Sequence, residues 1–304
     1  MSADHAHASQ GTHRSKLTIV VGITAAILVA EVIGAWWTNS LALLVDAGYM
    51  LTAASGLLMA LIATNLALRP PTPERTWGWR RSEVLAAGAQ AAVLLGVGVY
   101  AFAEGVRRLA TPPEVTAGGL LVFGIVGLVG NIVSMLVLSS GRGANLNMRA
   151  AFLEVVNDAL GSVAVIVSAV VIALTGWTRI DALAGMLIAT LIVPRAITIL
   201  REAGSILLES TPPGLNLEEV RRHILEVPHV VGVHDLHAST IATGLPVLTA
   251  HVVVEDACFT NGHAAQMLTD LQACVADHFD VSVEHSTFQL EPPTYNDFEH
   301  VRHD

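Results

Sequence analysis

Six apolar stretches, each long enough to cross a bilayer, constrain this chain more than any other feature. A membrane-spanning helix needs about 20 predominantly apolar residues at ~1.5 Å rise per residue. The 304-residue chain offers such runs over residues 17–37, 41–68, 84–106, 116–138, 149–174 and 180–200. Charged residues make up only 14% of the chain and crowd into the termini and loops; the mean hydropathy is +0.58. Lipid offers no water to backbone polar groups, so each run reads as a helix. Several such runs, and no small-residue cleavage site after the first, argue against a cleavable leader.

Basic residues set the orientation. Arg14 and Lys16 precede the first run, Arg69, Arg75, Arg80 and Arg81 follow the second, Arg142 and Arg149 follow the fourth, and Arg201 follows the sixth. The opposite side carries only Arg107, Arg108 and Arg179. Both termini are therefore expected in the cytoplasm of a multi-pass protein of the plasma (inner) membrane. Residues 1–16, with His5, His7 and His13, read as a disordered tail, 17–205 as the membrane domain, 206–291 as a cytoplasmic domain and 292–304 as a flexible tail.

Residues 206–291 change character. LNLEEVRRHILEV has helical apolar spacing, VVGVHDLHASTIA and PVLTAHVVVED read as a hairpin around TGLP, residues 261–279 as a second helix and VSVEHSTFQLE as a third strand. The α-β-β-α-β order predicts a small ferredoxin-like α/β domain with helices on one face of its sheet. The net charge of −10 belongs mostly to this third of the chain and argues against nucleic acid as a partner. Its two cysteines, Cys258 and Cys274, read as small buried hydrophobes in a reducing compartment.

Acidic residues inside apolar runs carry the chemistry. Glu154 and Asp158 in RAAFLEVVNDALGSVAVIVSAVVIAL lie four residues apart, one above the other on a helix face. Counted from Arg149, they sit about 8 and about 13 Å deep. A carboxylate there costs roughly 2.5–3.5 kcal/mol and persists where it faces a partner, a cavity or an ion. Asp46 and Tyr49 share one side of the second run, and packing of runs two and five would gather all four into one polar cluster. Glu31, Asn131 and Asp181 are expected to support that cluster, or to serve as helix-end and interhelical hydrogen bonders. Adjacent carboxylates in low dielectric repel, a divalent cation binds them only when they are deprotonated, and exchange of metal for protons follows. His234, His237, His251, His263 and His285, with Asp235 and Glu291, enrich the soluble domain in metal-binding groups. Period-two alternation argues against HDLH acting as one chelate, whereas His234 and His251 can meet across the hairpin.

SLALLVDAGYMLT, LNMRAAFLEVVNDALGSVAVIV, VVGVHDLHASTI, LTAHVVV and VEHSTFQLE resemble motifs of the cation diffusion facilitator family of zinc-type transporters, over nearly the whole chain. The resemblance implies a homodimer of six-helix subunits with a metallochaperone-like cytoplasmic domain, exporting divalent metal, zinc first, against inward protons. It implies a transport site of His or Asp followed four residues later by Asp on the second helix and again on the fifth. Here those positions hold Tyr49 and Ala53, then Glu154 and Asp158, with Asp46 beside them. It also implies metal on His234, His251, His263 and His285 at the dimer interface, as an effector. The oxygen-rich membrane site raises two alternatives: a harder cargo such as Mn²⁺, or a metal sensor or partner subunit that no longer transports. No nucleophile or activated-water site accompanies the carboxylates, and no cofactor is expected, so an enzyme is not the reading.

Overall fold

The computed structural model describes residues 2–139 and 146–298, with side chains described for 18–139 and 151–295. His5, His7, His13, Arg14, Lys16, Arg142 and Arg149 are outside the described side chains. Among the described residues, six helices are long and apolar enough to span a membrane: α1 (Ser2–Thr38), α2 (Leu41–Ala67), α3 (Ser82–Ala110), α4 (Ala117–Ser139), α5 (Leu146–Thr175) and α6 (Arg179–Leu207). α1 is helical from Ser2, through the stretch expected as a disordered tail; no proline interrupts it. α6 continues through Pro194, which removes one backbone donor from its ladder.

The chain divides into two compact units, the first built from residues 1–58 and 89–198, the second from 59–88 and 199–304. In the first, α4 packs against α1 and α5. Glycine makes these approaches, and that of α5 to α2, close. A Cβ at Gly127 would stand 2.8 Å from Ser162 Oγ and 3.2 Å from Glu31 Oε1, and one at Gly161 2.5 Å from Asp46 Oδ1. A side chain at either position would occupy space that these polar groups now fill. The apolar core of this unit runs through Leu41, Leu43, Leu94, Leu120, Val165 and Ile188.

The α1–α2 turn is polar, with Thr38 and Ser40 buried and Asn39 exposed. Asn39 adopts a left-handed backbone (φ 55°), and Arg108 Nη1 donates to its carbonyl at 2.6 Å. Asp181, from the first turn of α6, accepts from Leu41 N at 2.6 Å and Ala42 N at 3.4 Å, and from the Ser40 hydroxyl. It thus satisfies the orphan N–H groups at the α2 N-terminus. Of the roles open to Asp181 in the sequence, the helix-end one is what the structure gives it.

In the second unit, α7 (Leu217–Leu225), α8 (Ala257–Thr260) and α9 (His263–Asp277) accompany a three-stranded sheet ordered β1 (Val230–Ala242), β2 (Leu245–Val254), β3 (His285–Glu291). β1 pairs antiparallel with β2, and β2 pairs parallel with β3. Asn216 caps α7, its side chain accepting from Glu218 N and Glu219 N. Val220, Ile224, Leu271 and Val275 pack against Leu248, Ala250, Val252 and Phe288, so the helices cover one sheet face. A 3₁₀ turn (Pro293–Phe298) occupies the start of the expected tail. Both cysteines are buried and unpaired, and burial, with Glu226 nearby, pushes the Cys274 thiol above its ordinary pKa.

Candidate functional site

Two polar constellations stand out, one inside the membrane-spanning unit and one on the sheet. In the first, α2 and α5 do meet, and the residues singled out in the sequence come together in two groups. Tyr49 donates its hydroxyl to Glu154 Oε1 at 2.5 Å. Arg195 Nη1, from α6, donates to Tyr49 Oη at 2.9 Å and to Glu154 Oε2 at 3.1 Å. Glu154 is thus held by a phenol and a guanidinium.

The second group is Glu31, Asp46 and Asp158, with 2%, 2% and 5% of their surface accessible. The Glu31 carboxyl lies at hydrogen-bonding range of Asp46, and Asp158 is close enough to act electrostatically on both. Glu31 Oε2, Asp46 Oδ2 and Asp158 Oδ1 are buried with no hydrogen-bond partner among the described residues. Beside them Asn131 Nδ2 donates to Ser162 Oγ at 3.3 Å, the interhelical role expected for it. Asp46, Tyr49 and Arg195 also line a largely apolar cavity of about 730 Å³ between α5 and α6.

Arg195 is the functional residue that the sequence pattern did not bring forward. Its signal is nonetheless there: an arginine in the interior of an apolar helix is as costly as a carboxylate and needs a partner as much. The adjacent Pro194 points instead to a kink.

On the sheet, His234 and His251 are register partners, their rings 5.0 Å apart. Glu291 bridges them, Oε2 at 3.1 Å from His234 Nε2 and Oε1 at 2.8 Å from His251 Nδ1. Ligand atoms of all three lie within 4.8 Å of one another, the one such His/Cys/Asp/Glu triple among the described residues. His234 Nδ1 also contacts Asp235 Oδ2 at 3.3 Å, an arrangement that orients a metal-binding imidazole. Two imidazoles and a carboxylate suit zinc, with a fourth position open.

A bulge builds part of this cluster. Between the pairs His234↔His251 and His237↔Thr249, β1 spends one residue more than β2, and Asp235 takes φ 47°. The extra residue returns His237 to the face of His234, against strict alternation. Asp235 then reaches both, with Oδ1 3.9 Å from His237 Nε2. His263 and His285 do not join. His263 lies beside His229 at the start of α9, ring centroids 6.0 Å apart. His285 packs edge-on against Trp77 at 4.9 Å and sits at the other end of β3 from Glu291, about 20 Å away at ~3.3 Å per residue.

Residues 17–208 match the cation efflux transmembrane domain, and 212–293 match the cation efflux protein cytoplasmic domain. The chain belongs to the cation efflux family. Among curated members it is 40% identical to the metal cation efflux system protein CzcD of Cupriavidus metallidurans, over 96% of this chain and 90% of that one. It is 36% identical to the zinc transporter ZitB of Escherichia coli K12, over 96% and 93%. It is 34% identical to a cadmium, cobalt and zinc/H⁺–K⁺ antiporter of Bacillus subtilis 168, over 96% and 93%. The metal-bound C-terminal domain of the Cupriavidus CzcD transporter aligns with 25% of this chain and 99% of its own, at 36% identity and a TM-score of 0.22. As a cation efflux protein with six spans and a cytoplasmic α/β domain, it is a multi-pass membrane protein.

Proposed function

We propose that this cation efflux protein exports a divalent metal, zinc foremost, from the cytoplasm in exchange for protons, with the ion carried between α2 and α5. One observation carries the reading. Asp46 and Asp158 project from those two helices into a buried position, and each keeps an oxygen without a partner among the described residues. Carboxylates in that state are expensive in lipid and are accounted for by a cation. The similarity to the named zinc and metal efflux proteins supports the same reading.

The exchange follows from the groups themselves. Two carboxyls at hydrogen-bonding range, such as Glu31 and Asp46, need one proton between them. A divalent ion needs both oxygens bare, so binding expels that proton and the ion's departure takes one up. Apparent metal affinity therefore weakens as pH falls. Reconstituted protein is expected to show proton flux driven by Zn²⁺, Mn²⁺, Co²⁺ or Cd²⁺ gradients, monitored with a pH dye inside the vesicles. Correctly folded protein silent with all four metals would end the export reading. It would favour a non-transporting sensor, which the Tyr49–Glu154–Arg195 network at the family's transport positions keeps in view.

The sheet cluster supplies the regulatory half. Cytoplasmic zinc on His234, His251 and Glu291 is proposed to favour the homodimer and bias the membrane helices. Calorimetry of residues 212–293 should give zinc binding that His251→Ala weakens at least about tenfold, since it removes one of three ligands. Equal binding by the variant would remove this cluster from the account.

A further inference from the structure

Glu154 and Asp158 begin as one pair in the sequence, a turn apart on α5, yet the structure gives them different neighbours. Both oxygens of Glu154 are engaged, Oε1 by the Tyr49 hydroxyl and Oε2 by Arg195. With a neutral phenol, one carboxylate and one guanidinium, that trio carries no net charge, and the cationic place beside Glu154 is filled by the protein itself. Arginine suits this role because it stays charged and its several donors reach the phenol and the carboxylate together.

Asp158 instead belongs with Glu31 and Asp46. Each of these three is at least 95% buried, and each retains an oxygen with no hydrogen-bond partner among the described residues. The helices are cut to receive them, since a Cβ at Gly161 or Gly127 would press on the Asp46 or Glu31 carboxyl. Arg195, the cationic side chain that acts electrostatically on Asp158, spends its hydrogen bonds on Tyr49 and Glu154. Glu31 and Asp46 are already at hydrogen-bonding range, while the three carboxyls together do not reach the 4.8 Å mutual spacing of the sheet cluster, so a bound cation would draw Asp158 toward the other two.

We infer that the metal in the membrane is held by Glu31, Asp46 and Asp158, from α1, α2 and α5, while Arg195 serves as a tethered cation for Glu154. The inference rests on the export reading and names its ligand set. The set is all oxygen, so it discriminates less for zinc over manganese than a histidine-bearing site does. Glu31, on α1, becomes a ligand, and Glu154 becomes a positioning residue.

The test is equilibrium binding of Mn²⁺ and Zn²⁺ to the full-length protein in detergent. It is run in a His234→Ala/His251→Ala background so that the sheet cluster contributes nothing. Free Mn²⁺ is read by electron paramagnetic resonance and Zn²⁺ by calorimetry. Glu31→Gln, Asp46→Asn and Asp158→Asn should each weaken binding by roughly 100-fold, and Glu154→Gln by less than about tenfold. Arg195→Gln releases the Glu154 carboxylate and should leave affinity equal or higher. Elution volume and helical circular dichroism confirm that each variant is folded, and a variant that fails is replaced by the Ser substitution. Glu154→Gln abolishing binding while Glu31→Gln retains it would overturn the inference, as would no binding in the parent. The expected pattern in a protein without flux would retain the ligand set and discard export. Flux from a protein whose binding depends on Glu154 alone would do the reverse.

Discussion

Asp158→Asn is expected to reduce metal-driven proton flux by roughly 100-fold or more in proteoliposomes while leaving the protein folded and no less stable. The substitution keeps volume and shape, so packing around this 5%-exposed side chain is undisturbed. It removes an ionisable carboxyl that, when charged, repels the Glu31 and Asp46 carboxyls. Relief of that repulsion should hold or raise the melting temperature, because the carboxylate contributes cost rather than cohesion to the fold. Flux and stability therefore move independently or in opposite directions, a pattern that general damage cannot produce. Paired dye-flux and thermal-melt measurements decide it; wild-type flux from Asp158→Asn would place the ion elsewhere.

Asp181→Ala should do the reverse, destabilising the protein by about 3 kcal/mol, with activity per folded molecule little changed. Asp181 is 1% exposed and accepts from two backbone N–H groups and the Ser40 hydroxyl at the start of α2. Its loss leaves these donors buried without an acceptor, at about 1–3 kcal/mol for each that water cannot reach. The same turn depends on Arg108 holding the Asn39 carbonyl, so it should fray as a unit. Detergent melting curves with and without the substitution test this. A melting temperature unchanged from wild type would show that α2 is capped by other means.

Much of the molecule is legible without coordinates. The six spans follow from run length and composition, because the backbone in lipid has helix as its economical solution. The order of helices and strands after residue 206 follows from periodicity. The acidic residues inside spans identify themselves by cost. Arg195 carries the same signal, but it stands beside Pro194, whose effect on the backbone is the more obvious one. The pairing of His234 with His251 is accessible from the hairpin register; the bulge at Asp235, which brings His237 to the same face, is not. Residue type and resemblance place His263 and His285 with the others; within one subunit the topology sets His285 at Trp77 and His263 at the head of α9.

The amino-acid order by itself determined which segments enter the membrane, where the soluble domain begins and which side chains are too costly to be idle. All three depend on local free energies of transfer and hydrogen bonding, which each segment carries with it. Which carboxylate meets which partner was decided only in the tertiary structure. Glu154 and Asp158 are neighbours on one helix with nearly equal chemistry, and they diverge because Tyr49 and Arg195 arrive at one while Glu31 and Asp46 arrive at the other. That division goes with close approach at Gly127 and Gly161, contacts between residues far apart in the chain that no local pattern encodes.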